Sequence, residues 1–321
     1  MNSYPITIIG AGLSGIMAAK QLKEQGNDDF LIVDKGKSVG GRLATRRVAE
    51  GKADHGAQFF TVRTEELQSE VDQWLNKGWV KRWFGDQYPR YTAVDGMNGL
   101  AKHLAEGLPV SVNTKVVKII ESAKEFILSD SVGNVWRSEQ VLITTPVPQI
   151  IDLLKNSEVA LSPDSVKSLR SISFLPSYVG IFEFNSSTHL PDHGHLDENL
   201  PDGVERIVDH EKKGISQVPI ISVYMTGDWS RRHFGDDYVM SLIKENTEEL
   251  LEWSELESEQ LKRWRYSQAK KTINTSFMNL NENKKLLAAG DTFLREDDQA
   301  GRTRFESAFL SGRDAGEYLA K

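Results

Sequence analysis

Short apolar runs rich in β-branched residues alternate with helical periodicities at the start of the chain. Ile6–Ile9 is one such run, stopped by Gly10, and predicts a strand buried on both faces of a parallel sheet. Ile16, Ala19 and Leu22 then recur at helical spacing up to Gln25, and Gly26 marks the stop. Phe30–Val33 is a second apolar strand, closed by Asp34. Strand, helix and strand within about 30 residues predict one β-α-β unit.

The pattern then changes. Residues 36–56 are rich in glycine, basic and small residues and predict an extended loop. Helices are expected over Glu65–Asn76 and Met97–Glu106, and Trp79, Trp83, Tyr88 and Tyr91 read as an aromatic cluster between them. Residues 110–128 carry short strands with a polar turn. Residues 141–145 predict a buried strand ended by Pro146 and Pro148. From 151 to 281, strands such as Tyr178–Phe184 and Pro219–Met225 alternate with loops and one charged helix, Tyr238–Trp253. Leu286–Ala289 is the last expected strand and Thr303–Leu319 the last helix. The expected class is α/β, with residues 1–66, 96–150 and 282–321 forming a split Rossmann-type domain. Residues 67–95 and 151–281 form a strand-rich α+β substrate domain.

Composition narrows the chemistry. The 321 residues include no cysteine, which removes disulfides, thiolate nucleophiles and cysteine metal sites. A net charge of −7 argues against nucleic acid or an anionic membrane as partner. No run approaches about 20 apolar residues, so no spanning helix is expected. Met1–Ile9 reads as a strand rather than a signal peptide, which leaves the cytoplasm as the default location.

Gly10-x-Gly12-x-x-Gly15 lies where the first strand turns into the first helix. Glycines there allow a tight turn, let the backbone approach a pyrophosphate, and let helix and strand pack closely. Ala11, Leu13 and Ser14 fill the positions between them, and the helix N-terminus favours an anion. Asp34, 19 residues after Gly15, suits a carboxylate that accepts from ribose hydroxyls. Gly40-Gly41-Arg42 follows the second strand, where an arginine can neutralise a diphosphate with forked donors, and favours FAD over NAD. Gly290-Asp291 ends the last strand; Asp291 is a candidate ligand of a ribityl hydroxyl. The last helix, with Phe305, Ala308, Phe309, Gly312 and Ala315 on one face, is a candidate to face the flavin edge where negative charge collects.

Taken together these residues resemble the FAD-dependent amine oxidase superfamily, and within it the renalase-like branch. The resemblance is carried by Gly10-Ala11-Gly12, Asp34-Lys35, 38–42, the block Asp54-His55-Gly56-Ala57-Gln58-Phe59-Phe60, Pro146-Val147-Pro148, 262–268 and Gly290-Asp291. It implies that Gly56, Ala57 and Gln58 approach the isoalloxazine ring and that Val116 meets adenine through its backbone; His55 stands where the family often has an apolar residue and is a cofactor-binding candidate whose role is open. It also implies oxidation of isomeric dihydronicotinamides, with hydride passing to flavin and oxygen reoxidising it. Such chemistry needs no strong general base, because positioning supplies most of the catalysis. No catalytic dyad stands out, and Gln58, Phe60, Tyr178 and Arg265 are the candidates to line the flavin. A phosphate-bearing substrate would want basic groups at the cavity mouth: Arg206 with Lys212 and Lys213, or Arg265 with Lys270.

Other readings stay open. An amine oxidase or desaturase on the same scaffold would use a lysine near the flavin, for which Lys270 or Lys271 could serve. A non-catalytic flavin-binding redox sensor is the reading of another class. His189, His193 and His195 have a spacing compatible with a metal but no supporting pattern around them, so none is expected. Residues 245–259 read as an acidic, helical, solvated face.

Overall fold

The computed structural model describes residues 1–48 and 50–321. Its larger sheet places Asn2–Ile9 between Phe30–Val33 and Val135–Ile143, both parallel to it, with Leu286–Ala289 parallel on the far side of Val135–Ile143. The strands Asn2–Ile9, Phe30–Val33 and Leu286–Ala289 are the runs the apolar pattern marks, and their inner residues are buried on both faces. Parallel strands covered on both sides need continuous rather than alternating apolar sequence. Val116–Glu121 and Phe126–Asp130 extend this sheet as an antiparallel ribbon against Val135–Ile143.

The first helix, Leu13–Glu24, and the last, Phe305–Leu319, pack together on one face of the sheet. They meet backbone to backbone. A Cβ on Gly312 would lie 2.3 Å from the Ser14 carbonyl oxygen, and one on Gly316 would lie 2.5 Å from that of Ala18. The α/β class with a parallel sheet is therefore present.

A second, antiparallel sheet has the order His195–Leu196, Val204–Asp209, Ile220–Met225, Phe174–Phe184, Leu256–Ala269. Because side chains alternate, it has two distinct faces. Val179, Ile181, Ile220 and Tyr224 pack with Val48 and Ala53 on one face. Tyr178, Phe182, Val223 and Met225 pack with Trp229, Val239 and Ile243 on the other.

Three sequence expectations change here. The stretch 36–56 is not wholly loop, since Thr45–Val48 and Gly51–Asp54 form a hairpin held against the second sheet by Val48 and Ala53. Position 49 lies outside the described residues. The charged helix ends early, at Val239–Asn246, and the acidic stretch beyond it enters the strand Leu256–Ala269, where Glu257 and Glu259 alternate outward. The aromatic cluster is divided: Trp79 stacks on His103, Tyr91 on Phe60, Trp83 contacts Phe59, and Tyr88 is exposed. Among the described residues no helix is long and apolar enough to cross a membrane.

Candidate active site

The nucleotide end of the site begins with backbone geometry. Gly10 has φ +116°, in the region that favours glycine, and a Cβ on Gly15 would lie 1.9 Å from the Gly10 carbonyl oxygen. The first helix therefore starts flush against the strand end. Gly12 at its N-cap makes no side-chain hydrogen bond and no acid occupies the first turn. Ala11, Leu13 and Ser14 lie at this turn, which leaves the first N–H groups available to an anion. The second glycine pair is laid against this turn, since Gly40 N donates to Ala11 O at 2.7 Å and Gly41 approaches the Gly12 Cα.

Asp34 caps the second strand. Its Oδ2 accepts from Ala11 N at 2.7 Å and its Oδ1 from Gly36 N at 2.6 Å. Thr114 N donates to Asp34 O and Asn113 N to Gly36 O, which brings the segment leading into Val116 beside the carboxylate. Lys35 donates to Gln149 Oε1. The Arg42 guanidinium forms a two-pronged pair with Asp291, both contacts 2.7 Å, and also reaches Ser267 O. Gly290 N donates to Ser311 Oγ and Asp291 O accepts from Ser307 Oγ, so the last strand is pinned to the last helix. At the start of that helix Phe305 and Ala308 are half-buried, while Glu306, Ser307 and Phe309 are buried.

The segment 54–59 links the two ends. Ala57 N donates to Arg42 O at 2.9 Å, and a Cβ on Gly56 would lie 1.9 Å from that same oxygen. His55, Gly56, Ala57 and Phe59 keep exposed surface, whereas Asp54 and Gln58 have almost none. Side chains from one face of the second sheet grip the segment's carbonyls. Trp264 Nε1 donates to His55 O at 2.6 Å, Ser222 Oγ to Asp54 O, and the Tyr224 hydroxyl lies 3.0 Å from Asp54 O and 3.1 Å from Gly56 O.

Below this backbone lies a closed polar network. Lys213 Nζ donates to Asp54 Oδ2 at 2.7 Å, Gln58 O at 2.8 Å and Gln58 Oε1 at 2.9 Å, so all three ammonium donors are used. Asp54 Oδ1 accepts from Met97 N at the start of a helix and from Thr45 Oγ1. Gln58 Nε2 donates to Asp54 O and to the Tyr224 hydroxyl. Burial lowers the Lys213 pKa, opposed by Asp54, and burial raises that of Tyr224 well above its usual value. His55, stacked on Trp264, is held neutral, its pKa lowered to about 4 by burial first and then by Lys262.

The structure places the four candidates for lining the flavin on both faces of the second sheet and in the core. Gln58 turns inward to the Lys213 network. Phe60 is a core residue stacked on Phe305 and Tyr91. Tyr178 is buried on the opposite face of the second sheet, where its hydroxyl accepts from Gly235 N. Arg265 shares that face, 5.6 Å over the Phe234 ring. Alternation sets both positions: Val179 and Trp264, their chain neighbours, are on the other face, Val179 against Val48 and Ala53 and Trp264 on His55 O.

Lys270 and Lys271 are exposed, and the lysine inside the protein is Lys213, not a surface charge. Lys212 caps Leu190 O. His193 and His195 pack on Phe84 instead of gathering around an ion, and no group of described residues has the make-up of a metal site. Sequence reasoning named Lys213 as a candidate at the cavity mouth and Asp54 only within its motif block; it gave no buried-pair role to either, and it missed Ser222 and the gripping roles of Trp264 and Tyr224. The Trp264 block and the aromatic character of Tyr224 were the signals available.

Comparison with known proteins adds an independent line. Residues 8–74 match the NAD(P)-binding Rossmann-like domain, and residues 75–268 match the flavin containing amine oxidoreductase family. Renalase of Mus musculus is 25% identical over 203 residues, covering 55% of this chain and 57% of that protein. The chain thus spans a little over half the length of that relative. Coproporphyrinogen III oxidase of Mycobacterium leprae is 29% identical over 125 residues, covering 38% of this chain and 27% of that protein. The solved structure of a CLA-producing fatty acid isomerase from P. acnes covers 97% of both chains with a TM-score of 0.68 at 13% identity, a likeness of fold.

Proposed function

This chain belongs to the flavin containing amine oxidoreductase family, and from that premise we propose an FAD-dependent oxidase whose donor is a small reduced heterocycle of the dihydronicotinamide type. The residues fit the dinucleotide. The uncapped N–H groups after Gly12 suit its diphosphate, and a Cβ on Gly12 would meet nothing within 4 Å, which leaves room for it. The Asp34 carboxylate suits a ribose, with Lys35, Gly41 and the segment before Val116 around it. Arg42 and Asp291 would hold the middle of the molecule, and the half-buried His55, Gly56, Ala57, Phe305 and Ala308 would offer surface for the ring. FAD supplies, when bound, a two-electron acceptor that oxygen can reoxidise.

The protein's share is then positioning. Trp264, Ser222 and Tyr224 fix the carbonyls of segment 54–56 from one side, and Lys213 fixes Gln58 from beneath. A single observation carries the reading: the polar side chains at this segment are spent on holding backbone, and its histidine is neutral, so no charged base faces the cleft from it. A donor whose hydride leaves a carbon activated by its own ring nitrogen needs placement and water exclusion rather than proton removal. This donor class is the one that the resemblance to the renalase-like branch implies, and mouse renalase is among the relatives of this chain.

Anaerobic mixing of the yellow protein with 2- and 6-dihydronicotinamide dinucleotides tests the reading. Bleaching of the flavin band by one of them, and peroxide on readmitting air, is the expected result. No bleaching by any isomer, with rapid bleaching by a primary amine, would replace it with an amine oxidase.

A further inference from the structure

Phe59, the half-buried neighbour of Gln58, sits between cations from two separate elements. The Arg90 guanidinium carbon lies 5.5 Å from its ring centroid and that of Arg206 lies 6.0 Å away. Arg206 also lies 5.9 Å from the ring of Tyr224, whose hydroxyl reaches Gly56 O, so it stands on the sheet face that grips the flavin-side segment. Arg90 comes from the hairpin Val80–Phe84/Arg90–Ala93, where it pairs across with Phe84 and stacks 4.7 Å over that ring.

Aromatic rings pack around these cations, with Glu205 beside Arg206 and Asp197 3.7 Å from His195 Nδ1. Trp83 and Phe84 meet Phe59 edge-on, and His195 closes the group with both ring nitrogens buried and without hydrogen-bond partners. Burial lowers the His195 pKa to about 4, so its ring adds no charge at neutral pH. Arg206 is paired with the adjacent Glu205. Among the described residues Arg90 has no carboxylate partner, and its Nε is buried without any hydrogen bond. In a chain with 46 acidic residues against 39 Lys and Arg, a half-buried arginine without a counter-charge beside a half-buried aromatic ring is suited to receive an anion.

We infer that Phe59, Arg90 and Arg206 form a subsite for the anionic group of a flat heterocyclic substrate, with Phe59 as the apolar wall and the two guanidiniums as the anion donors. This deepens the function proposed above and rests on its premise that the flavin ring lies against residues 55–57. The chemistry recognised is an oxyanion, carried either as a ring carboxylate or as a nucleotide phosphate. A neutral heterocycle of the same shape would leave Arg90 without a partner.

The test titrates the oxidised, FAD-loaded protein and follows the flavin absorbance. The probes are nicotinate against nicotinamide, and nicotinamide mononucleotide against nicotinamide riboside. The expected result is that the anionic member of at least one pair binds about tenfold tighter, the scale of a charged hydrogen bond. The carboxylate pair and the phosphate pair tell the two sources apart. R90Q and R206Q should each abolish that preference while R90K and R206K keep part of it. In turnover the same substitutions should raise KM more than they lower kcat. Should R90Q fail to accumulate as yellow protein, R206Q and R90K carry the comparison. Equal binding within both pairs, no saturable change with any probe, or a preference that survives the Arg→Gln substitutions would overturn the subsite. A donor that still bleaches the flavin in that case leaves the proposed oxidase standing. Arginine-dependent anion binding without bleaching by any dihydronicotinamide would remove the donor assignment and keep the subsite.

Discussion

Lys213 Nζ lies 2.7 Å from Asp54 Oδ2, and neither side chain is exposed to solvent. The pair joins the loop after Val204–Asp209 to the end of the strand Gly51–Asp54, 159 residues apart in sequence. Removing one partner of a buried pair leaves an uncompensated charge. K213M is therefore expected to destabilise the protein by about 3–5 kcal/mol, measured by denaturant unfolding. The double variant D54N/K213M should recover part of that loss. A double variant no more stable than K213M would show that the pair is not what holds the loop.

Tyr224 gives a finer prediction. Y224F keeps the ring and removes the hydroxyl that meets Gln58 Nε2, Asp54 O and Gly56 O. The buried partners left behind should cost about 1–3 kcal/mol in stability. Because Gly56 is released, FAD affinity should fall as well, measured by the fluorescence of released flavin. Unchanged FAD affinity would separate this hydroxyl from the ring site.

Two glycines of the first turn should fail in different ways. A Cβ on Gly15 would lie 1.9 Å from backbone, so G15A is expected to lower the Tm even without cofactor. A Cβ on Gly12 would meet nothing within 4 Å, so G12A should fold normally yet bind FAD poorly, since the methyl occupies the space assigned to the diphosphate. Thermal melts of the apoprotein, set beside FAD titrations, check both outcomes.

The neutral histidines make stability depend on pH with a definite sign. His55 and His195 titrate near 4 in the folded chain against 6.5 for an unperturbed histidine, burial being the first cause in both. The unfolded chain therefore takes up protons first as pH falls. Their contribution is intact above about 6.5, is lost as pH drops from there to about 4, and loses nothing more below. Tm measured across this window should fall, and H55Q or H195Q should each flatten the slope. A slope unchanged in both variants would assign it elsewhere, for instance to buried His210.

Much of the fold was legible because backbone demands are written in residue type. A turn needing φ +116° is written as Gly10, and a helix flush against a strand as Gly15. The doubly covered strands announce themselves through unbroken apolar runs. The site was less legible. Lys213 lies in the polar run 210–213, which reads as surface, and nothing local reports a partner 159 residues away. Tyr178 and Val179 were known to face opposite ways, but which face meets segment 54–58 depends on how two sheets are apposed. Residues 256–259, the start of the strand Leu256–Ala269, read as the end of an acidic helix because their outward glutamates mask the alternation until the partner strand is seen.

The contact of Gly312 and Gly316 with the carbonyls of Ser14 and Ala18 has a consequence for biosynthesis. The first helix is made before Phe305–Leu319, which supplies one of the surfaces that seat it. Until that stretch emerges, an apolar groove beside the dinucleotide turn stays open, and the nascent chain is exposed to aggregation or chaperone capture.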